Sequence, residues 1–380
     1  MLEDYTHLSK RDVIKLLQEK GYLLHSVAEK FKDDKDVVKA AVSSFGGSLR
    51  YASPRLKDNE EIVAIAVENS NRAFSYASDR LRNDPEYVTS LLKTNPLILK
   101  RAGDGIRDNE AIVKTGLRYD VYALDGASDR LKDDPKFIEY AIDLKGGGAL
   151  EFASSRLQND YYVVKKAVKE NGYALQFASE RLKDNPSIVR AASSTYSGAL
   201  QYASERLVGS PSFMKSIVKQ NGFALEYADD TVKETFDVVM AAIQKSYHSL
   251  RFASDILKDE YGIVEAAVLQ NGAALMYASE RLKDDKDIVL AALKRCPNAL
   301  CYASNRLKDD PAVVFEAVKK DESLLEYASP RFRKMSLEKI KALAEQEKNK
   351  KPSLSEQIKV ASISGKKSVS SVRKKDEITL

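Results

Sequence analysis

The stretch Ala174-Leu-Gln-Phe-Ala-Ser-Glu-Arg-Leu-Lys-Asp-Asn185 returns almost unchanged at Ala199, Ala274 and Ala299. Outward from it, each copy can be indexed by its central small residue. The centres are Val27, Ala52, Ala77, Ala102, Ala127, Ala153, Ala178, Ala203, Ala228, Ala253, Ala278, Ala303 and Ala328, which define copies one to thirteen. Every interval is 25 residues except one of 26, where Gly146-Gly147-Gly148 leaves room for an extra residue. Self-similarity at a fixed short period is the signature of an array of stacked units.

Each position in the unit has a physical role. Four residues after the centre all thirteen copies are apolar, Leu in nine, with Phe31, Ile106, Val232 and Phe332. Three before it stands Leu or Phe. Leu175, Ala178 and Leu182 thus recur at i, i+3 and i+7, the spacing of one face of a short helix. The Ala marks a place where another helix must approach closely. A second helix precedes this one: in Asp184-Asn-Pro-Ser-Ile-Val-Arg-Ala-Ala, Asp or Asn can cap the N-terminus and Pro186 suits the first turn. Pro85, Pro135 and Pro311 hold the same place. Ile188, Val189 and Ala192 supply its apolar face. Its end is expected near pairs such as Asn171-Gly172 and Asn221-Gly222, with Gly taking a left-handed conformation. Two helices of about eight to ten residues therefore fill a copy, and helices so short are marginal alone in water. The sequence predicts an all-α fold, an α-solenoid of thirteen 25-residue helical hairpin repeats in which neighbours bury one another's faces.

A second period is visible, since Asn-Gly recurs at 171, 221 and 271, every 50 residues. The pattern "NGxALxYASxRLKDD", preceded by "VVxAAV", resembles the repeats of a family named domain of unknown function 4116. That family's unit is about 50 residues, and the likeness covers roughly residues 10–335. Such repeats occur in intracellular bacterial pathogens, where some carriers look like secreted effectors, in giant viruses and in protists. The resemblance implies a repeat array and brings no catalytic residues with it. Copies four and five depart from the pattern. Arg101 stands where an aromatic is usual, Gly105 where Arg is usual, and Gly126 at the aromatic position of copy five.

Composition bounds the function. The chain is 43% apolar and 31% charged, with three His, two Cys and no Trp. Cys296 and Cys301 sit five apart with no His beside them, which is neither a zinc nor a disulfide-scaffold spacing. A reducing compartment is the natural reading, so the expected location is cytoplasmic, or a host cytosol for a secreted effector. The N-terminus lacks the apolar run of a secretory signal, and no run of about 18 apolar residues exists to span a membrane. The net charge of +5 conceals an asymmetry. Residues 331–380 hold 14 Lys/Arg against 6 Asp/Glu, leaving residues 1–330 at −3.

Three recurring positions are candidates for function. The aromatic before the centre (Tyr51, Tyr76, Phe152, Phe177, Tyr202, Tyr227, Phe252, Tyr277, Tyr302, Tyr327) could form a stacking ladder for single strands. Packing between copies is the stronger reading, because Phe replaces Tyr freely. The basic residue three after the centre (Lys30, Arg55, Arg80, Arg130, Arg156, Arg181, Arg206, Arg281, Arg306, Arg331) could bind phosphates. Its acidic neighbours favour Arg–Asp contacts between adjacent copies, with the planar fork serving a carboxylate and turn carbonyls together. The residue two before the centre follows no physical rule. It is the first candidate for a recognition stripe, expected to be exposed and side by side in successive copies: Lys100, Asp125, Glu151, Gln176, Gln201, Glu226, Arg251 and Met276, flanked by Arg50, Ser75, Cys301 and Glu326. The glycines of copies four and five suggest ordinary repeat decay, with a local bend or a ligand notch as the alternatives.

Catalysis finds little support. His25 and His248 lie far apart, and no nucleophile set, phosphate loop or metal cluster appears. The expected organisation is a solenoid over 1–334, a capping helix over 335–349 with Ser336 as its N-cap, and a Ser/Lys-rich basic tail over 350–380 without a core pattern. The sequence therefore points to a non-enzymatic protein–protein interaction scaffold, monomeric, with no cofactor and no metal. The alternative is a binder of nucleic acid or anionic membrane acting through the tail.

Overall fold

A computed structural model describes residue 5 and residues 7–349. The chain is an all-α repeat protein, and among the described residues there is no strand. It divides into two compact units, Met1–Phe213 and Met214–Leu380, each an α-solenoid.

Copy seven shows how a unit is made. Asp160 accepts from the amides of Tyr162 and Val163 and so starts the helix Tyr161–Glu170, whose Val163, Val164, Ala167 and Val168 are buried. The helix stops at Asn171, which is extended (φ −152°, ψ 111°) and accepts from the Tyr173 amide at 3.0 Å. A 3₁₀ helix follows, Gly172–Phe177, and then a single α-turn, Glu180–Lys183. The next long helix is Pro186–Thr195, with Pro186 in its first turn and Asn185 as its cap.

The second helix of the hairpin is thus not the one helix of eight to ten residues that the spacing suggested. It is a six-residue 3₁₀ segment and a one-turn α-helix, separated at Ala178, whose backbone is extended (φ −70°, ψ 154°). The cause lies at Ser179. Its side chain accepts from the Leu182 amide, which begins a new helix, and its own amide donates to the Gln158 carbonyl of the preceding copy at 2.9 Å. An amide committed to a neighbour cannot continue an intrahelical ladder. The apolar triad survives the break: Leu175 and Leu182 are 0% exposed and Ala178 5%.

The glycines at the helix ends also differ from expectation. Gly172, Gly222 and Gly272 do not take a left-handed conformation; the positive φ among the described residues belongs to Gly146 (84°). A Cβ on Gly172 would stand 2.2 Å from the Ala192 carbonyl oxygen of the next copy. Absence of a side chain, not backbone freedom, is what the site requires, because two backbones touch there. Gly146 is the extra residue of the 26-residue interval, and its left-handed turn absorbs it. Register is recovered at once, since the Ser154 amide meets the Lys132 carbonyl at 2.9 Å.

The last long helix, Leu337–Asn349, lies against Pro311–Val318 and buries Ile340 and Ala344. The basic tail, 350–380, lies outside the described residues.

Candidate interaction surface

Two surfaces run along each unit. The first follows the one-turn helices and is a ladder of side chains between copies. In copy eight, Arg206 Nε donates to the Asp184 carboxylate of copy seven at 2.9 Å, and a second guanidinium nitrogen donates to the Asp184 backbone carbonyl at 2.9 Å. Ser204 hydroxyl donates to the same carboxylate. The first unit repeats this rung at Asp33/Arg55, Asp58/Arg80, Asp108/Arg130 and Asp133/Arg156, and with Asn159 as acceptor at Arg181. The second unit repeats it at Asp259/Arg281 and Asp284/Arg306, and more loosely at Asp309/Arg331, 3.6 Å apart. The Ser hydroxyl and then the guanidinium hold the carboxyls of Asp33, Asp58, Asp108, Asp133 and Asp184 below the usual carboxylate range. The arginines of the basic row are thus engaged within the chain, as their acidic neighbours implied, while Lys30 lies over the Phe31 ring.

The rung fails at copy four. Gly103 and Gly105 replace Ser and Arg, and Asn83 replaces Asp. The Asn83 side chain turns back to donate to Asp79's carbonyl at 2.8 Å, and its Oδ1 fills the space a Cβ on Gly103 would need, 1.8 Å away. Beside it lies an open hollow lined by Asp104, Gly105, Arg107, Asp108, Ser128 and Asp129. Asp108 there already accepts from both the Ser128 hydroxyl and Arg130. What remains is a shallow gap left by a lost arginine, without converging free groups.

The second surface is the row of 3₁₀ helices. Its floor is packed: Ala174 and Leu175 are buried, as are their equivalents except Leu23 and Leu325 at the two ends. Its outer residues vary. Of the predicted stripe, Lys100, Glu151, Gln201, Glu226, Arg251 and Met276 are exposed, while Asp125 and Gln176 are half-buried. Lys100 Nζ lies 2.7 Å from Asp125 Oδ2, so stripe residues of consecutive copies do meet. Lys132 explains the tethering of Asp125: it donates to that residue's carbonyl at 2.9 Å, capping the end of the 3₁₀ helix.

The aromatic row before the centre is half-buried at Tyr51, Tyr76, Phe152, Phe177, Tyr202, Tyr227, Phe252, Tyr277 and Tyr302, and exposed at Tyr327. Its partners reveal a residue the sequence reading overlooked, an exposed aromatic five before the centre. Tyr122 meets Phe152 edge-on at 5.6 Å, Tyr173 meets Tyr202 at 5.7 Å, and Phe223 meets Phe252 at 6.4 Å. Tyr122 and Tyr173 are 53% and 43% exposed, too open for a core role. The 50-residue period was the signal, because Tyr122, Tyr173 and Phe223 stand in alternate copies, the last two directly after Asn-Gly (Asn171-Gly172-Tyr173, Asn221-Gly222-Phe223). Each edge-on pair joins an odd copy to the following even one.

His248 stacks on Tyr247 at 4.0 Å, and His25 lies against Tyr51 at 5.3 Å; both belong to this aromatic surface. Cys296 and Cys301 are free and half-buried. Among the described residues no group of three or more His, Cys, Asp or Glu is placed to hold a metal, and no helix is long and apolar enough to cross a membrane.

A family model described as Domain of unknown function (DUF4116) matches residues 10–57, 59–107, 160–208, 211–258, 262–308 and 285–333. Each match spans two copies, in keeping with the doubled period; five of the six run from an odd copy to the following even one, and 285–333 covers copies twelve and thirteen. Residues 108–159, which contain Gly126 and the inserted Gly146, fall between matches. No curated protein and no solved structure matches the chain.

Proposed function

The chain belongs to the family of tandem DUF4116 repeats, and from that premise we propose that it is a non-enzymatic scaffold that binds another protein along its row of 3₁₀ helices. One observation carries the reading. The ladder edge repeats one rung chemistry in all copies from the second onward but those with Gly105, Thr231 and Ile256, and spends it internally, whereas the 3₁₀ face sets on its packed frame a residue, two before the centre, that ranges over Lys, Arg, Asp, Glu, Gln, Ser, Met and Cys. A surface that is rigid beneath and variable above is what a repeat array uses for recognition. Half-buried aromatics beside that residue add preordered apolar area at little entropic cost. A protein partner, no cofactor and no reaction follow from this reading. The free thiols of Cys296 and Cys301 fit a reducing, cytoplasmic setting, in the cell of origin or in a host cytosol if the chain is effector-like.

A second reading rests on the charge surplus of the last fifty residues: the tail binds nucleic acid or an anionic membrane. Affinity capture separates the two. The full chain is compared with a variant carrying Ala at Lys100, Glu151, Gln201, Glu226, Arg251 and Met276, and with one lacking residues 350–380. The scaffold reading expects capture to vanish in the first and persist in the second. Capture that survives the substitutions but is lost with the tail selects the second reading.

A further inference from the structure

The charge of the 3₁₀ face is segregated within the first unit. The helices Gly21–Ser26, Gly46–Tyr51, Asn71–Tyr76 and Pro96–Arg101 contain four cations, Arg50, Arg72, Lys100 and Arg101, and no carboxylate. The next four, Val121–Gly126, Gly147–Phe152, Gly172–Phe177 and Ser197–Tyr202, contain two carboxylates, Asp125 and Glu151, and no Lys or Arg. The last turns and C-caps of the long helices bordering the basic half add Glu19 and Glu68 against Lys20 and Lys93, which cancel.

Two further facts set these cations apart from the ladder arginines. Among the described residues, none of Arg50, Arg72 and Arg101 has a carboxylate partner; Lys100 alone of the four is paired, at the junction with the acidic half. Arg50 is also preorganised. Its guanidinium lies over the Tyr51 ring at 5.2 Å and the Tyr76 ring at 5.9 Å, spanning two copies. A guanidinium with aromatic rings under one face is partly stripped of water and keeps its N–H edges free, the state in which its fork grips a carboxylate bidentately.

We propose that the 3₁₀ face of copies two to four takes an acidic segment of a partner protein, its carboxylates on Arg50, Arg72 and Arg101. The proposal rests on the scaffold reading and names the partner's chemistry for one part of that surface. A polyphosphate strand is the poorer occupant. It needs a continuous basic track, and here the track lasts three copies before Asp125 and Glu151 repel it. The Tyr51 and Tyr76 faces that could stack bases already carry Arg50.

The test is fluorescence anisotropy on the full chain at low salt, with labelled probes: a peptide of alternating Glu and Ser, one of alternating Lys and Ser, and oligothymidylate. The Glu peptide binds best, and R50E/R72E/R101E weakens it by about tenfold or more. Glu205→Lys, a reversal on the one-turn helix Glu205–Val208 of the ladder edge, leaves it within about twofold. Circular dichroism melts identify any variant that fails to fold; R50Q/R72Q then replaces the triple reversal and still weakens binding. Equal binding of the two peptides, indifference to R50E/R72E/R101E, or tighter binding of oligothymidylate overturns the proposal. If protein capture depends on the stripe while the Glu peptide does not bind, this inference fails and the scaffold reading stands.

Discussion

The junction between copies seven and eight and the junction between copies three and four use the same backbone and different side chains. At the first, Asp184, Ser204 and Arg206 close a full rung. At the second, Asn83, Gly103 and Gly105 make none. Yet the backbone bond between copies is the same: Ser204 amide to Lys183 carbonyl at 3.1 Å, Gly103 amide to Arg82 carbonyl at 2.9 Å. The apolar residue beneath is buried in both, Leu207 at 2% and Ile106 at 3%. The rung is thus a trim on a stack held by burial and backbone pairing. Half-exposed ion pairs contribute a few tenths to about 1 kcal/mol each, far less than a buried Leu.

The largest expected effect tests that ranking directly. Leu207→Ala should destabilise the chain by about 2–5 kcal/mol and Ile106→Ala by a similar amount, measured by urea unfolding. A much smaller cost at Ile106 would show that the rungless junction is already loose and would break the comparison. Next, Gly172→Ala, which drives a Cβ into the Ala192 carbonyl, should cost about 1–3 kcal/mol. At Gly105, where a Cβ meets nothing within 4 Å, Ala should instead stabilise. Ser204→Ala removes both a helix cap and the bond to Asp184 and should cost about 1 kcal/mol. Building the missing rung, with N83D/G103S/G105R, should return up to about 1 kcal/mol; a loss would mean that the Asn83 turn is itself the preferred closure.

The smallest effect is in pH. Asp184's carboxyl lies below its ordinary value because Ser204 and then Arg206 favour the charged form. A depressed folded value means that the rung contributes above the unfolded carboxylate pKa and loses its contribution as pH falls through the folded one. Asp184→Asn should therefore flatten the acid limb of the stability curve, while Asn83→Ala leaves it unchanged. An unaltered acid limb in Asp184→Asn would remove the rung from the account.

Much of this was legible in the chain. Centres 25 residues apart, Leu at fixed offsets and Pro186 after Asp184-Asn185 dictate short stacked helices, and the acids beside Arg206 implied a ladder. The exposed aromatics Tyr122, Tyr173 and Phe223 were hidden because they recur only in alternate copies, so a 25-residue frame averages them away. The same frame made the stripe visible but left open that Asp125 and Gln176 sink halfway into the surface.

The sequence by itself determined the period, the register and the identity of the buried residues, because apolar spacing and caps act over a few neighbouring positions. The tertiary structure decided the break at Ala178, the reason for Gly172 and the company each charged group keeps. Those depend on an amide, a carbonyl or a guanidinium of the adjacent copy, about 20 residues away along the chain but in direct contact in space.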